Sequence, residues 1–221
     1  MRSATMPRLV PYITLREGEE NAPDNLVIDL DIPKWPRLRY LDETPLDRDP
    51  RGVLWGRCSQ TIRSATNMPT GQPRWKFVHP SRQRETMLEL RCQVCVQPAK
   101  TPLGWIFMAG PQELGSESDL VITVQPPVCA KHVRPAALLC PHLDGQPLIF
   151  LAQAAPLYGV HGTLYGFSAE HGVHVVDTPE HPLPYGHPNL PTFLASQLVR
   201  RLKAFQLITL DELTQALEAA A

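Results

Sequence analysis

The chain alternates between short apolar runs and prolines or polar turns, a pattern that predicts many short strands. The 221 residues include 24 prolines, and proline interrupts both helices and the interiors of sheets. The apolar runs are therefore expected to be strands separated by turns and loops. The segments with this pattern are residues 8–15, 26–32, 37–41, 52–57, 74–78, 104–108, 119–124, 146–151, 159–167 and 172–176.

Three segments instead follow the spacing of an α-helix. The pattern of residues 79–91 predicts a helix, for which Ser81 is a suitable N-cap. Residues 192–206 predict the longest helix, because their large apolar side chains recur at helical spacing. Thr209 and Glu212 match a capping box and predict a terminal helix that ends near residue 220. Residues 190–221 are thus predicted to be a C-terminal helical segment with two helices. The apolar positions of the longest helix are Phe193, Leu194, Leu198, Leu202 and Phe205.

Composition narrows the class of protein. Hydrophobic residues make up 43% of the chain and the net charge is −1, which excludes both an acidic disordered segment and a basic nucleic-acid coat. Arginine outnumbers lysine 16 to 5, as is typical of a GC-rich bacterial genome. There is no apolar run of about 18 residues, so no membrane span is expected. The first residues lack the apolar run of a secretory signal, so we expect a cytoplasmic protein with reduced cysteines.

Four of the five cysteines lie between positions 92 and 140. Cys92 and Cys95 form a C-x₂-C pair, and Cys129 and His132 form a C-x₂-H pair. Thiolate and imidazole ligands favour Zn²⁺, and four protein ligands leave no open coordination position. The pattern therefore predicts one structural zinc ion. Other interpretations are a redox pair at Cys92 and Cys95, or ordinary buried thiols.

The fourth zinc ligand is left open by spacing alone. His132 is preferred, and Cys140 and His142 are alternatives. Lys131, Arg91 and Arg134 lie nearby in sequence and are expected to offset the net charge of −1 that three thiolates and one imidazole give the site.

The order of these parts resembles the treble-clef zinc fingers, over residues 90–142. In that family a C-x₂-C knuckle is followed by a β-hairpin and then by a helix whose first turn supplies the last two ligands. The resemblance implies that Cys92 and Cys95 are the knuckle, residues 105–124 the hairpin, and Cys129 and His132 the start of the helix. Val96 stands where such a knuckle usually carries glycine.

A basic block surrounds the first cysteine pair. Residues 51–100 hold nine basic and two acidic side chains, with Trp55, Trp75 and Phe77 among them. Cations bind phosphates and exposed aromatic rings stack on bases, so the block is a candidate nucleic-acid face. The alternative is that the arginines solvate a surface and the tryptophans lie in the core. The candidate contacts are Arg74, Lys76, Arg82, Arg84 and Arg91.

Catalytic constellations are missing from the sequence. The predicted hairpin carries no histidine to serve as the base of a treble-clef nuclease, and there is no phosphate-binding glycine motif. Cys58 lacks a Cys-His signature, and Ser168 lacks the glycines of a hydrolase elbow. His171 and His174 have odd spacing, so in one strand they would point to opposite faces. The sequence therefore favours a protein that is not an enzyme.

Together these patterns predict an α+β fold. It is a mixed, mostly antiparallel β framework with a central treble-clef-like zinc module and two C-terminal helices, in one compact unit over residues 1–221. The expected function is that of a non-enzymatic, zinc-stabilised binding, adaptor or regulatory protein with a protein partner. The alternatives are a nucleic-acid-binding protein that uses residues 51–100, and an enzyme whose site is not recognised.

Overall fold

The computed structural model describes residues 9–22, 25–30, 36–61, 65, 68–110, 121–140, 143 and 147–220. The chain divides into two compact units. The first, here called the cysteine unit, comprises residues 1–14, 85–157 and 200–221, and the second, the β-rich unit, comprises residues 15–84 and 158–199. The sequence-based prediction of one compact unit over residues 1–221 stays a prediction.

The fold is mixed α and β, as predicted, with mostly antiparallel strands. The helices in the described part of the chain are α1 (Pro80–Leu88), α2 (Ala130–Leu139) and α3 (Leu210–Ala219). The strands are β1 (Thr14–Arg16), β2 (Leu26–Asp29), β3 (Arg37–Tyr40), β4 (Leu54–Trp55), β5 (Pro73–Val78), β6 (Trp105–Ala109), β7 (Ile122–Thr123), β8 (Leu148–Ala154), β9 (Leu157–Ser168), β10 (Gly172–Asp177), β11 (Leu183–Pro184), β12 (Phe193–Arg201) and β13 (Lys203–Ile208).

The cysteine unit is built on a sheet in the order β13-β8-β6. Alternate residues of β6 contribute to two different apolar clusters: Ile106 and Met108 to one, Phe107 and Ala109 to the other. The first cluster also contains Cys92, Val133 of α2 and Leu213 of α3. Because both faces of β6 are covered, its sequence is continuously apolar rather than alternating.

The predicted hairpin over residues 105–124 does not form between the strands that the structure describes there. β6 pairs antiparallel with β8 over five residues, from Trp105 opposite Ala152 to Ala109 opposite Leu148. β7 pairs instead with Arg200 and Arg201 at the end of β12. β6 pairs with β8 because β8 offers an apolar run long enough to match it, whereas β7 has only two strand residues.

The predicted helix over residues 192–206 is wrong, because this segment forms β12 and β13. Tertiary partners override helical spacing here: β12 pairs in parallel with β4, and β13 pairs antiparallel with β8. Gly162 permits the close approach of β9 to β12, since a Cβ at this position would collide with the Leu194 carbonyl oxygen. The C-terminal region therefore holds one helix, α3, rather than two.

Helix α3 begins where the capping box predicts. Thr209 is the N-cap, its N–H and Oγ1 both donate to the Glu212 carboxylate at 2.9 Å and 2.7 Å, and the Glu212 N–H donates back to Thr209 Oγ1 at 3.3 Å. Helix α1 begins at Pro80 rather than after Ser81. The ring nitrogen Nδ1 of His79 accepts from the Arg82 N–H at 3.4 Å, so histidine takes the role assigned to serine.

The β-rich unit contains the strand order β10-β9-β12-β4, with β11 beside β9 and a separate β2-β3 ribbon. Leu38, Tyr40 and Leu54 form its apolar cluster. A second buried centre is polar: Arg82 donates to both carboxylate oxygens of Glu19, at 2.5 Å and 2.7 Å. The two side chains are 1% and 0% exposed, so this ion pair lies in the interior of the unit.

Candidate metal centre

The first cysteine pair lies in a tight turn after α1. The Cys92 N–H donates to the Gln97 carbonyl oxygen at 2.8 Å, and the Val96 N–H donates to the Cys92 carbonyl oxygen at 2.9 Å. Arg91 and Pro98 form an antiparallel bridge at its base. The turn directs both thiols of the C-x₂-C pair to one side, as a metal-binding knuckle requires.

Val96 has a left-handed backbone, with φ at +64°. This conformation is natural for glycine and strained for a β-branched residue. The valine therefore adopts a conformation that glycine would take without this strain. Such strain persists only where surrounding interactions enforce it, and it is most common at functional sites.

The second pair lies at the N-terminus of α2. Cys129 is the N-cap residue, in an extended conformation, and the His132 N–H donates to its carbonyl oxygen at 2.9 Å. The first helical turn therefore brings the thiol of Cys129 and the imidazole of His132 onto the same side. Pro135 lies inside this helix without ending it.

Backbone hydrogen bonds bring the two pairs together. The Gln93 N–H, inside the turn, donates to the Pro127 carbonyl oxygen at 2.9 Å. The Val128 N–H donates to the Ile106 carbonyl oxygen of β6 at 2.9 Å. The residue before Cys129 is thus fixed to the sheet, and the residue after Cys92 is fixed to the segment that precedes α2.

One metal ion could be held by the resulting cluster of Cys92, Cys95, Cys129 and His132, because their donor atoms all lie within 4.8 Å of one another. The Cys95 and Cys129 sulfurs are 3.9 Å apart, and His132 Nδ1 lies 3.2 Å from Cys129 Sγ and 4.0 Å from Cys92 Sγ. Tetrahedral zinc would hold such donors roughly 3.5–3.8 Å apart. The donors therefore fit one ion after shifts of up to about 1 Å.

The pKa values of the three cysteine thiols are shifted by their neighbours in the cluster. The pKa of Cys92 is lowered to about 5, first because Cys129 donates a hydrogen bond to its sulfur, and further by backbone amides of Cys129, Cys95 and Val94. Donating that hydrogen bond raises the pKa of Cys129, and burial raises the pKa of Cys95. Three adjacent sulfurs cannot all ionise alone, so a divalent cation would replace the shared protons.

Unlike His132, neither alternative fourth ligand is found in the described cluster. Cys140 is the C-cap residue of α2, about 15 Å along the helix axis from its start at 1.5 Å per residue. It is not a member of the cluster. His142 lies outside the described residues.

The candidate nucleic-acid residues differ in their exposure and in their partners. Arg82 is buried against Glu19, and Arg84 lies over the ring of Trp55 and donates to the Arg48 carbonyl oxygen. Arg91, in the cysteine unit, donates to the Val96 carbonyl oxygen and pairs with Glu89. Arg74 and Lys76 are exposed on β5. Of the five candidates, these two are the side chains most open to a phosphate.

Sequence reasoning also missed or misplaced some residues. The Glu19 partner of Arg82 is 63 positions away and has no local signal. His171 lies in the turn before β10, and its ring centroid is 6.0 Å from that of His174, so the alternation argument does not apply to it.

No protein-family model, curated protein or solved structure matches this chain. Within the described residues, none of the helices combines the length and apolar character needed to cross a membrane.

Proposed function

We propose that this protein is a non-enzymatic binding, adaptor or regulatory protein stabilised by one structural zinc ion. The ligands are Cys92, Cys95, Cys129 and His132. The observation that carries the proposal is the convergence of their donor atoms within 4.8 Å. Three sulfurs and one imidazole nitrogen are the donor set that zinc prefers in structural sites.

The proposed zinc is structural because the donor set is complete. Four protein ligands fill a tetrahedral site and leave no position for water or substrate. Cys92 belongs to the apolar cluster that contains β6 and α2 residues, so the ion would link a turn to the start of a helix within one core. The order of knuckle, strand and helix N-terminus supports a treble-clef-like module, although β6 has β8 as its partner.

The test is the metal content of purified full-length protein. We expect one zinc ion per chain in the wild type and a loss of zinc in Cys92→Ser and His132→Ala. Cys140→Ser is the matched control, because this thiol ends the same helix outside the cluster, and it should keep the full zinc content. An empty wild-type protein, or a Cys140→Ser variant that loses zinc, would contradict the proposal.

A second candidate is nucleic-acid binding through β5. Arg74 and Lys76 are exposed there, Phe77 is 52% exposed, and the Arg74 guanidinium lies 4.8 Å from the Phe77 ring centroid. Exposed cations beside an aromatic ring suit single-stranded nucleic acid. The probe is a fluorescent single-stranded DNA oligonucleotide titrated at several salt concentrations.

Arg74→Ala/Lys76→Ala should weaken this binding and reduce the salt slope by about 1.4, since each lost phosphate contact accounts for about 0.7. Arg51→Ala, a substitution in the same unit but outside β5, is the control and should leave the salt slope unchanged. Arg82→Ala is unsuitable, since it would break a buried ion pair. A slope unchanged by the double substitution would count against this candidate.

A further inference from the structure

We infer that Cys95 and Cys129 form a thiol oxidation site, at which a hydroperoxide converts the two side chains into a disulfide and the metal ion is released. The release of metal rests on the zinc binding proposed above, whereas the disulfide rests on the geometry of the two thiols alone.

The two sulfurs are close and belong to different elements. Cys95 ends the C-x₂-C turn and Cys129 precedes α2, and their Sγ atoms are 3.9 Å apart. A disulfide bond is about 2.05 Å long, so each sulfur needs to move by about 1 Å. Side-chain rotation supplies movements of this size without displacing the sheet. Both cysteines are free thiols.

Exposure separates these two cysteines from the third. Cys92 is 0% exposed. Cys95 and Cys129 are only half-buried. Because an oxidant must reach the sulfur from solvent, it attacks one of these two half-buried thiols. The other is then the nearest accessible thiol that can react with the oxidised sulfur to form a disulfide.

The chemistry balances with hydrogen peroxide as the oxidant. The first thiol loses its proton as it attacks peroxide, which breaks the O–O bond and gives a sulfenic acid and water. The second thiol then attacks the sulfenic sulfur, forms the S–S bond and gives up its proton to the departing hydroxyl, which leaves as another water. The two thiols lose two electrons in total, and one peroxide is reduced to two waters.

Loss of two thiolates leaves Cys92 and His132 as the only donors of the cluster. Two ligands cannot maintain a closed tetrahedral site, so zinc departs as Zn²⁺. The disulfide still joins the turn to the start of α2, so the cross-link that the ion provided is replaced by a covalent one. The oxidised cysteine unit is therefore expected to stay folded.

The experiment uses full-length zinc-loaded protein treated with hydrogen peroxide. Zinc release is followed with a chromophoric chelator, and disulfides are mapped by mass spectrometry of peptides prepared without reductant. We expect one zinc ion released for each Cys95–Cys129 disulfide, and restoration of the zinc site by dithiothreitol and added zinc. A disulfide that includes Cys92, oxidation to sulfinic acid alone, or retained zinc would overturn the inference.

Three variants sharpen the result. Cys140→Ser should behave as the wild type, and Cys95→Ser should lose the disulfide. Cys92→Ser keeps both reacting thiols and should still form the disulfide even with its zinc lost. If the wild type contains no zinc, the proposed function fails, but mapping of the metal-free protein still decides whether Cys95 and Cys129 pair.

Discussion

The two units bury ionisable side chains in different ways. In the β-rich unit, the buried Glu19 carboxylate accepts hydrogen bonds from the Arg82 guanidinium, the Arg16 N–H and Thr61, so its charge is balanced within the chain. In the cysteine unit, Cys92, Cys95 and Cys129 lie with His132 in a cluster that could hold one metal ion. In the proposed zinc site, the ion would supply the positive charge that balances the thiolates.

This difference separates a centre that the chain completes from one that the proposed ion would complete. A buried pair with its hydrogen bonds satisfied is stable once the chain folds, although one missing partner leaves an uncompensated charge. A thiol cluster gains its stability when metal binds, because the binding free energy is part of the folding free energy. The two units should therefore respond differently to chelators, substitutions and acid.

Metal removal should produce the largest contrast. Structural zinc sites contribute about 10–16 kcal/mol of apparent binding free energy, so a chelator should abolish hydrogen-exchange protection in the Cys92–Cys95 turn and in α2. Amides of the β-rich unit, such as the Gly56 N–H bonded to the Ala195 carbonyl oxygen, should keep theirs. Added zinc is the control and should restore protection. Equal loss in both units would remove the distinction between them.

Breaking the buried ion pair should give the next largest effect. Arg82→Met leaves the Glu19 carboxylate buried without its main partner, which costs about 3–5 kcal/mol. Urea denaturation measures the loss in the free energy of unfolding. Arg39→Ala is the control, because its pair with Asp29 is more than one-third exposed on both sides and should cost less than about 1 kcal/mol. Equal costs for the two variants would contradict an interior role for Arg82.

Acid should reveal the same pair through its linkage to protons. Burial would raise the pKa of Glu19, but the hydrogen bonds led by Arg82 outweigh it and lower this pKa to about 2 from the ordinary 4.5. The pair therefore contributes stability above the ordinary pKa and loses it as the pH falls towards 2, by about 3 kcal/mol in all. Urea denaturation of the wild type against Glu19→Gln over this range measures it. An unchanged pH dependence in Glu19→Gln would contradict the assignment.

The features that the sequence predicted correctly were those set by local spacing. The capping box of Thr209 and Glu212 fixes the start of α3 because both residues act within one turn. Three of the four donors of the candidate site were also found from two local spacings, each confined to four residues, and His132 was preferred as the fourth over Cys140 and His142. These features need no knowledge of distant partners, since the backbone of a turn or a helix N-terminus places both members of each pair.

Features set by distant partners were not predictable from local pattern. Residues 193–201 have helical spacing but pair with β4 as a strand. β6 pairs with β8 rather than with its neighbour in sequence. Arg82 looked like a phosphate contact within a basic block, because Glu19 lies far away along the chain. In each case long-range pairing or burial decided between structures that the local sequence allows equally.

The smallest predicted effect concerns Val96, where sequence and geometry disagree within a single residue. Its φ of +64° costs about 1–2 kcal/mol for an L-residue, whereas glycine adopts it freely at some cost in chain entropy. Val96→Gly should therefore favour the ligand turn by about 1 kcal/mol and tighten zinc binding about fivefold. Competition with a chromophoric chelator measures the affinity.

Ala204→Gly is the matched control for this substitution. Ala204 is also left-handed, with φ at +46°, and it is exposed in β13 of the same unit, far along the chain from the proposed ligands. Its replacement should raise the free energy of unfolding with or without metal, yet leave zinc affinity unchanged. If both glycines stabilise the protein equally in the metal-free state, the turn at Val96 is already formed before the ion binds, and the cysteine unit would depend less on metal than the comparison with the β-rich unit implies.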